Sequence, residues 1–216
     1  MSPVPRLGVT GIVLAGGRSS RFAPGGRTGG SKLDADLLGR TVLDRSIDAV
    51  ATCCDDVVVV GRLAPERPGL RFLEDPEPLE GPLAGLAAGL AEMAAPIALV
   101  IAGDMPLAQP AVLRTLVDAL GANDAAVGGA ALADGSGWRP LPMALRLPGA
   151  AETARLALAE SQRSLRGFLR RIELAVVSEE AWRAIDTEAD TLCDIDTAED
   201  LALAATRLGR RRMLTR

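Results

Sequence analysis

IVLAGGRSSRFAPGGRTGGSK, residues 12–32, begins as a short apolar run and breaks into a long loop rich in glycine and positive charge. Val9 to Ala15 is apolar and β-branched enough for a buried strand. Gly16-Gly17 then lets the backbone turn sharply and approach a ligand without Cβ clashes. After Gly17 the stretch carries Arg18, Arg21, Arg27 and Lys32 and no acid. Backbone N–H groups in a glycine turn form an anion-binding concavity, and fixed cations around it suit a polyphosphate. A strand leading into such a loop predicts an α/β fold with the loop at the carboxyl end of its sheet.

Lys32 is the only lysine among 24 Lys plus Arg. A compact ammonium approaches a phosphate as a point charge, which a planar guanidinium does not. One lysine must fall somewhere, so its position alone does not decide the matter. As a loop cation it is expected to pack against little and to matter little for stability. Gly25 and Gly30 have the GxxxxG spacing of a P-loop, but Ser31 precedes Lys32 and Leu33 follows it. The hydroxyl that would hold magnesium is therefore missing, which counts against a P-loop ATPase.

The 216 residues suffice for one well-packed α/β domain, expected over residues 9–209 between a disordered lead (1–8) and a basic tail (210–216) serving solubility. A net charge of −4 argues against a nucleic-acid or anionic-membrane surface. No stretch approaches the ~20 apolar residues of a membrane span, and Met1-Ser2-Pro3 begins no signal peptide, so a cytoplasmic protein is expected. With no histidine there is no Ser-His-Asp triad and no imidazole base or ligand. Any metal must sit on carboxylates, which suits magnesium or manganese. Adjacent Cys53 and Cys54 with a distant Cys193 read as buried thiols.

Along the chain, Thr41 starts a helix with Asp44 placed for a capping-box variant. DVVVV (56–60) reads as a strand covered on both faces, and residues 70–74 as a weaker one. Pro82 opens a helix of Ala, Gly and Leu whose bare face fits close packing on the sheet or a ligand equally well. APIALVIA (95–102) is the strongest buried strand and ends in Gly103-Asp104-Met105-Pro106. There Asp104 is either a turn former or a group projecting into the crevice. Beyond Pro110 the pattern predicts strands over 125–132 and, broken by Pro140 and Pro142, over 141–147. It continues with helices over 150–160 and 164–171, a strand over 174–177, a return of 193–196 to the sheet edge, and a last helix over 198–208 capped by Thr197.

So ordered, the chain resembles the nucleotidyltransferases related to the molybdenum cofactor guanylyltransferase. The resemblance rests on Leu14-Ala15-Gly16-Gly17-Arg18-Ser19-Ser20-Arg21-Phe22 closing at Lys32, on Gly81-Pro82-Leu83-Ala84-Gly85, on Gly103-Asp104-Met105-Pro106, and on Asp194 to Leu201. It implies a three-layer, Rossmann-like α/β fold with a mostly parallel central sheet and helices on both faces. The implied reaction moves a nucleoside monophosphate from an NTP to a phosphorylated acceptor and releases pyrophosphate. Leu14, Ala15, Gly16 and Gly17 would line the nucleotide, Arg21 and Lys32 its phosphates, and Asp75 would add a nucleotide contact. Asp104 would hold Mg2+ or Mn2+, Gly81 and Gly85 mark the approach of a phosphorylated pterin, and Arg163, Asp194 and Asp196 face the acceptor.

Because Gly81-Pro82-Leu83-Ala84-Gly85 looks like the guanylyl branch of that family, the resemblance implies GTP as substrate and molybdopterin as acceptor, with transient contact to molybdenum cofactor enzymes or carriers. Cytidylyl transfer to the same cofactor, guanylyl transfer to another phosphorylated small molecule, and a non-catalytic nucleotide-binding module remain as alternatives. The Arg21-to-Lys32 spacing exceeds the family's usual one, Ser31 replaces an Asp, and Asp194 and Asp196 stand where the guanylyltransferase usually has asparagines.

Overall fold

A computed structural model describes residues 8–16, 31–63, 68–74, 81–135 and 137–214. In chain order the elements are β1 (Val9–Leu14), α1 (Val42–Ala51), β2 (Asp56–Val60), β3 (Leu70–Leu73), α2 (Pro82–Ala91), β4 (Ile97–Ala102), α3 (Pro110–Gly121), β5 (Gly129–Asp134) and β6 (Gly137–Arg146). They continue with α4 (Gly149–Ala159), α5 (Leu165–Leu169), β7 (Leu174–Val177), α6 (Glu179–Arg183) and α7 (Ala198–Leu214).

Seven strands form one sheet in the order β3-β2-β1-β4-β6-β5-β7. The pairs β3-β2, β2-β1, β1-β4 and β5-β7 are parallel, and β6 runs antiparallel to both neighbours. Strand alternation sends side chains to two cores. Val57, Val59, Leu99 and Ile101 pack under α1 and α3, while Val58, Val60, Ala98 and Val100 pack under α2, α4 and α5. Burial on both faces is why these strands read as unbroken apolar runs. The α/β architecture is the one expected.

Chain order reverses between β1, which leads outward to β2 and β3, and β4, which returns on its other side. Such a switch point opens a crevice beyond the carboxyl ends of the strands, where open α/β sheets bind ligands.

Three segments differ from expectation. Strand β6 is continuous through Pro140 and Pro142 because its register with β5 shifts between Ala131 and Ala133. The prolines occupy that bulge, where the ladder asks for no N–H. Residues 193–196 form no edge strand: after a 3-10 turn at Asp190–Leu192 they cross the end of β4, and Ile195 N–H donates to the Asp104 carbonyl at 2.9 Å. Helix α7 passes Leu208 to end at Leu214, so Arg210 to Arg212 are helical, and Arg211 pairs with the buried Asp190 carboxylate.

Candidate active site

The site is built at the carboxyl ends of β1, β2 and β4. Gly103 N–H donates to the Leu14 carbonyl at 2.8 Å, and Ala15 N–H to the Val60 carbonyl at 2.7 Å. The buried Ser46 hydroxyl donates to the Gly103 carbonyl at 2.9 Å. A Cβ on Gly103 would sit 3.3 Å from the Leu14 oxygen. Gly61, at φ +96, brings its backbone so near Gly16 that a Cβ there would lie 2.3 Å from Gly16 N and Cα. Leu14, Ala15, Gly16 and Asp104 therefore lie together where β1 and β4 end. Gly61 carried no sequence signal beyond being a glycine after a strand.

Lys32 comes from the segment before α1. Ser31 caps a 3-10 turn, Lys32–Asp34, by accepting from Leu33 N–H at 3.3 Å. From this turn Lys32 Nζ reaches Asp104 Oδ2 and Asp196 Oδ1, each at 2.6 Å. Lys32 and Asp104 are 17% and 19% exposed, so the contact is largely shielded from water. Burial pulls the Lys32 pKa down, but hydrogen bonds and charge from Asp104 and Asp196 outweigh it, and the net shift is upward. Lys32 stays an ammonium. It is thus well packed, contrary to the expectation for a loop cation.

Asp194 and Asp196 are placed by a polar network that joins the 3-10 turn at Asp190–Leu192 to α7. Buried Asp186 accepts from Thr191 N–H at 2.7 Å, Asp190 N–H at 3.1 Å and Gln109 Nε2 at 2.6 Å. Thr197 and Asp200 form a reciprocal capping box at the start of α7, and Asp200 Oδ2 also accepts from Asp196 N–H at 3.0 Å. Burial first, then the Asp104 and Asp196 carboxylates, push the Asp194 pKa up to about 6 against the opposing pull of Arg139. With 40% of this side chain open to solvent, screening trims the effect.

A cleft of about 420 Å³ is lined by the acids Asp104, Asp194 and Asp196, by Arg139 and Arg166, and by Ala102, Pro140 and Leu141. Arg163 is not among these residues; its guanidinium donates to the Leu158 carbonyl at 3.1 Å and the Gln162 carbonyl at 3.4 Å. Gly81, at φ +83, starts α2 against the Arg163 backbone, where a Cβ would lie 3.0 Å from its carbonyl. Gly85 is buried near Val60 and Leu14, so the bare face of α2 serves packing on the sheet. Gly17, Arg21 and Asp75 lie outside the described residues, as do Arg18 and Arg27. Arg139 and Arg166 were missed because arginines are frequent in this chain and no motif marks these two.

A family model described as the MobA-like NTP transferase domain matches residues 11–177. The chain belongs to that family. The probable molybdenum cofactor guanylyltransferase of Chloroflexus aggregans is 33% identical over 213 residues, covering 93% of this chain and 95% of that one. The molybdenum cofactor guanylyltransferase of Desulfosudis oleivorans is 31% identical over 206 residues, covering 94% and 98%. Among solved structures, molybdopterin-guanine dinucleotide biosynthesis protein A from Archaeoglobus fulgidus superposes with a TM-score of 0.75 at 22% identity, covering 93% and 99%, which speaks for the fold. Like that family, this MobA-like chain is a nucleotidyltransferase on an α/β sheet. Among its described residues no helix is long and apolar enough to cross a membrane.

The donors of this MobA-like site fit a hard divalent cation in one particular way. Among the described residues no group of three His, Cys, Asp or Glu side chains is arranged to hold a metal by itself. Magnesium commonly uses one or two carboxylates and takes its other ligands from water and substrate phosphates. Asp104, already facing a cation in the form of the Lys32 ammonium, suits that mode.

Proposed function

We propose that this protein transfers GMP from GTP to molybdopterin and releases pyrophosphate, with Mg2+ held by Asp104. The observation that carries the reading is the shielded Lys32–Asp104 contact beside Leu14, Ala15 and Gly16 at the switch point of the sheet. Relatives named as molybdenum cofactor guanylyltransferases point to the nucleotide and the acceptor.

A terminal phosphate oxygen of the acceptor attacks the α-phosphorus of GTP, the bond to the β-phosphate bridging oxygen breaks, and pyrophosphate leaves. Such an oxygen is already anionic near neutral pH, so the absence of histidine costs the reaction no general base. Bound metal supplies charge neutralisation at the substrate phosphates. In this reading Gly16, Gly17 and Asp75 are the nucleotide contacts that the family resemblance implies. Gly81 and Gly85 set α2 beside the acceptor's approach, where Gly81 packs against the backbone of Arg163. Lys32 and Arg21 neutralise the departing pyrophosphate, Lys32 leaving Asp104 and Asp196 for the phosphates once these bring the stronger negative charge. Asp194 and Asp196 face the acceptor across the cleft.

The test is pyrophosphate release by the purified protein given molybdopterin, Mg2+ and each NTP in turn. A higher kcat/KM with GTP than with CTP is expected. A preference for CTP would move the protein to cytidylyl transfer, and tight Mg-GTP binding without turnover of any acceptor would leave it a binding module.

A further inference from the structure

We propose that Arg139 and Arg166 form the subsite that holds the acceptor's phosphate, and that this subsite takes a phosphomonoester carried on a flat, ring-like skeleton. The proposal rests on the transfer reading above, which requires an anionic acceptor in this cleft but assigns no cation to receive it.

Charge in the cleft supports the assignment. Asp104, Asp194 and Asp196 are balanced by Lys32, Arg139 and Arg166, and Lys32 is committed to Asp104 and Asp196 at 2.6 Å. Arg139 is held less tightly. It lies 3.5 Å from Asp194 and 3.7 Å from Asp134, and donates to the Leu192 carbonyl at 3.3 Å. These separations are long for charge-assisted bonds, which run about 2.7–2.9 Å, so the guanidinium is shared loosely and can turn a donor edge to a ligand. Arg166, at the start of α5, has no carboxylate within salt-bridge distance among the described residues. Its guanidinium lies 5.0 Å from the Trp138 ring centroid and donates to the Trp138 carbonyl at 3.2 Å.

Arg166 is thus oriented before any ligand arrives, which lowers the ordering cost of binding, while Arg139 has only to turn toward the ligand. Their forks suit the paired oxygens of a phosphate. Ala102, Pro140 and Leu141 give the same cleft an apolar surface for the carbon skeleton. In the sheet β4 lies between β1, whose end leads into the glycine-rich stretch, and β6, which carries Arg139 and Trp138 beneath Arg166, so these two arginines fall to the acceptor.

The probe is phenyl phosphate, with phenol as the control lacking the phosphate. Binding of each is measured by titration calorimetry in Mg2+ to wild type, Arg139→Ala, Arg166→Ala and Arg166→Lys, and Mg-GTP affinity is measured on the same samples. Phenyl phosphate should bind wild type and phenol should not. Each alanine variant should weaken phenyl phosphate about 10- to 100-fold with Mg-GTP affinity held within about twofold, and Arg166→Lys should recover part of the loss. Retained Mg-GTP binding shows that the variants are folded.

The proposal is overturned if phenyl phosphate fails to bind wild type, if it binds the alanine variants as well as wild type, or if the variants lose Mg-GTP instead. A parallel GMP-transfer assay with molybdopterin separates this proposal from the reading beneath it. Wild type that transfers GMP, with the KM for molybdopterin unchanged in the variants, sinks the subsite alone. Wild type that transfers nothing while the arginines still govern phenyl phosphate binding sinks the transfer reading alone.

Discussion

Lys32 Nζ and Asp104 Oδ2 meet at 2.6 Å with both side chains largely shielded from water, joining the end of the glycine-rich loop to the end of β4. The ammonium therefore has a structural duty besides any catalytic one. Lys32→Ala should lower NTP affinity or turnover about 10- to 150-fold, the loss of a charge-assisted contact of roughly 1.5–3 kcal/mol. It should also destabilise the ligand-free protein, because Asp104 and Asp196 lose their shared counter-ion. Thermal melts in EDTA should show a Tm several degrees below wild type, with part of the gap closed by Mg2+. Identical melting in EDTA would show that the contact adds nothing to the fold. Lys32→Arg should recover only part of the transfer activity.

Asp104→Asn tests the metal ligand. Its backbone carbonyl holds Ile195 N–H whatever the side chain, so the variant should fold. Transfer should fall by about 100-fold or more, with a higher Mg2+ requirement in what remains. Near-native turnover at low Mg2+ would remove Asp104 from the role.

The raised Asp194 pKa makes a pH prediction whose sign follows from linkage. Its folded-state value of about 6 lies above the ordinary 3.8, so the folded protein binds this proton more tightly than the unfolded chain. The protonated group's contribution to stability is whole below about pH 4 and is lost as pH rises through about 6. Asp194→Asn should flatten this part of the stability-versus-pH curve and melt higher than wild type at pH 7 to 8. Urea unfolding of both proteins from pH 4 to 8 decides it, and parallel curves would refute the assignment.

Gly61→Ala tests the contact beneath the nucleotide loop. With φ at +96 and backbone atoms 2.3 Å from the added Cβ, either Gly16 or the end of β2 must move. The expected cost is about 1–3 kcal/mol in stability, with a raised KM for nucleotide as Gly16 shifts. Calorimetric melting and nucleotide saturation curves measure the two effects. An unchanged Tm would mean that the loop yields freely.

Much of the nucleotide half was legible because its signals are local. β2 and β4 announce themselves as apolar runs, Thr41 caps α1 by accepting from Asp44 N–H at 3.0 Å, and Pro82 opens α2 as its lack of an N–H allows. The acceptor half was harder. Pro140 and Pro142 look like strand breakers until the bulge against β5 is seen, and Arg163 and Arg166 differ in sequence only by position. Nothing local says that the first donates to the Leu158 carbonyl while the second lines the cleft.

By itself the sequence determined the α/β alternation, the glycine loop at the carboxyl end of the first strand, and the motifs that place the chain among MobA-like NTP transferases, because each depends on residues near one another in the chain. Only the tertiary structure decided that Lys32 sits on Asp104 and Asp196, that residues 193–196 cross the end of β4, and that Arg139 and Arg166 share a cleft with the three acids. Those are relations between side chains far apart in sequence. The return of β4 beside β1 and the buried Asp186 network bring them together, and neither leaves a periodic trace in any one segment.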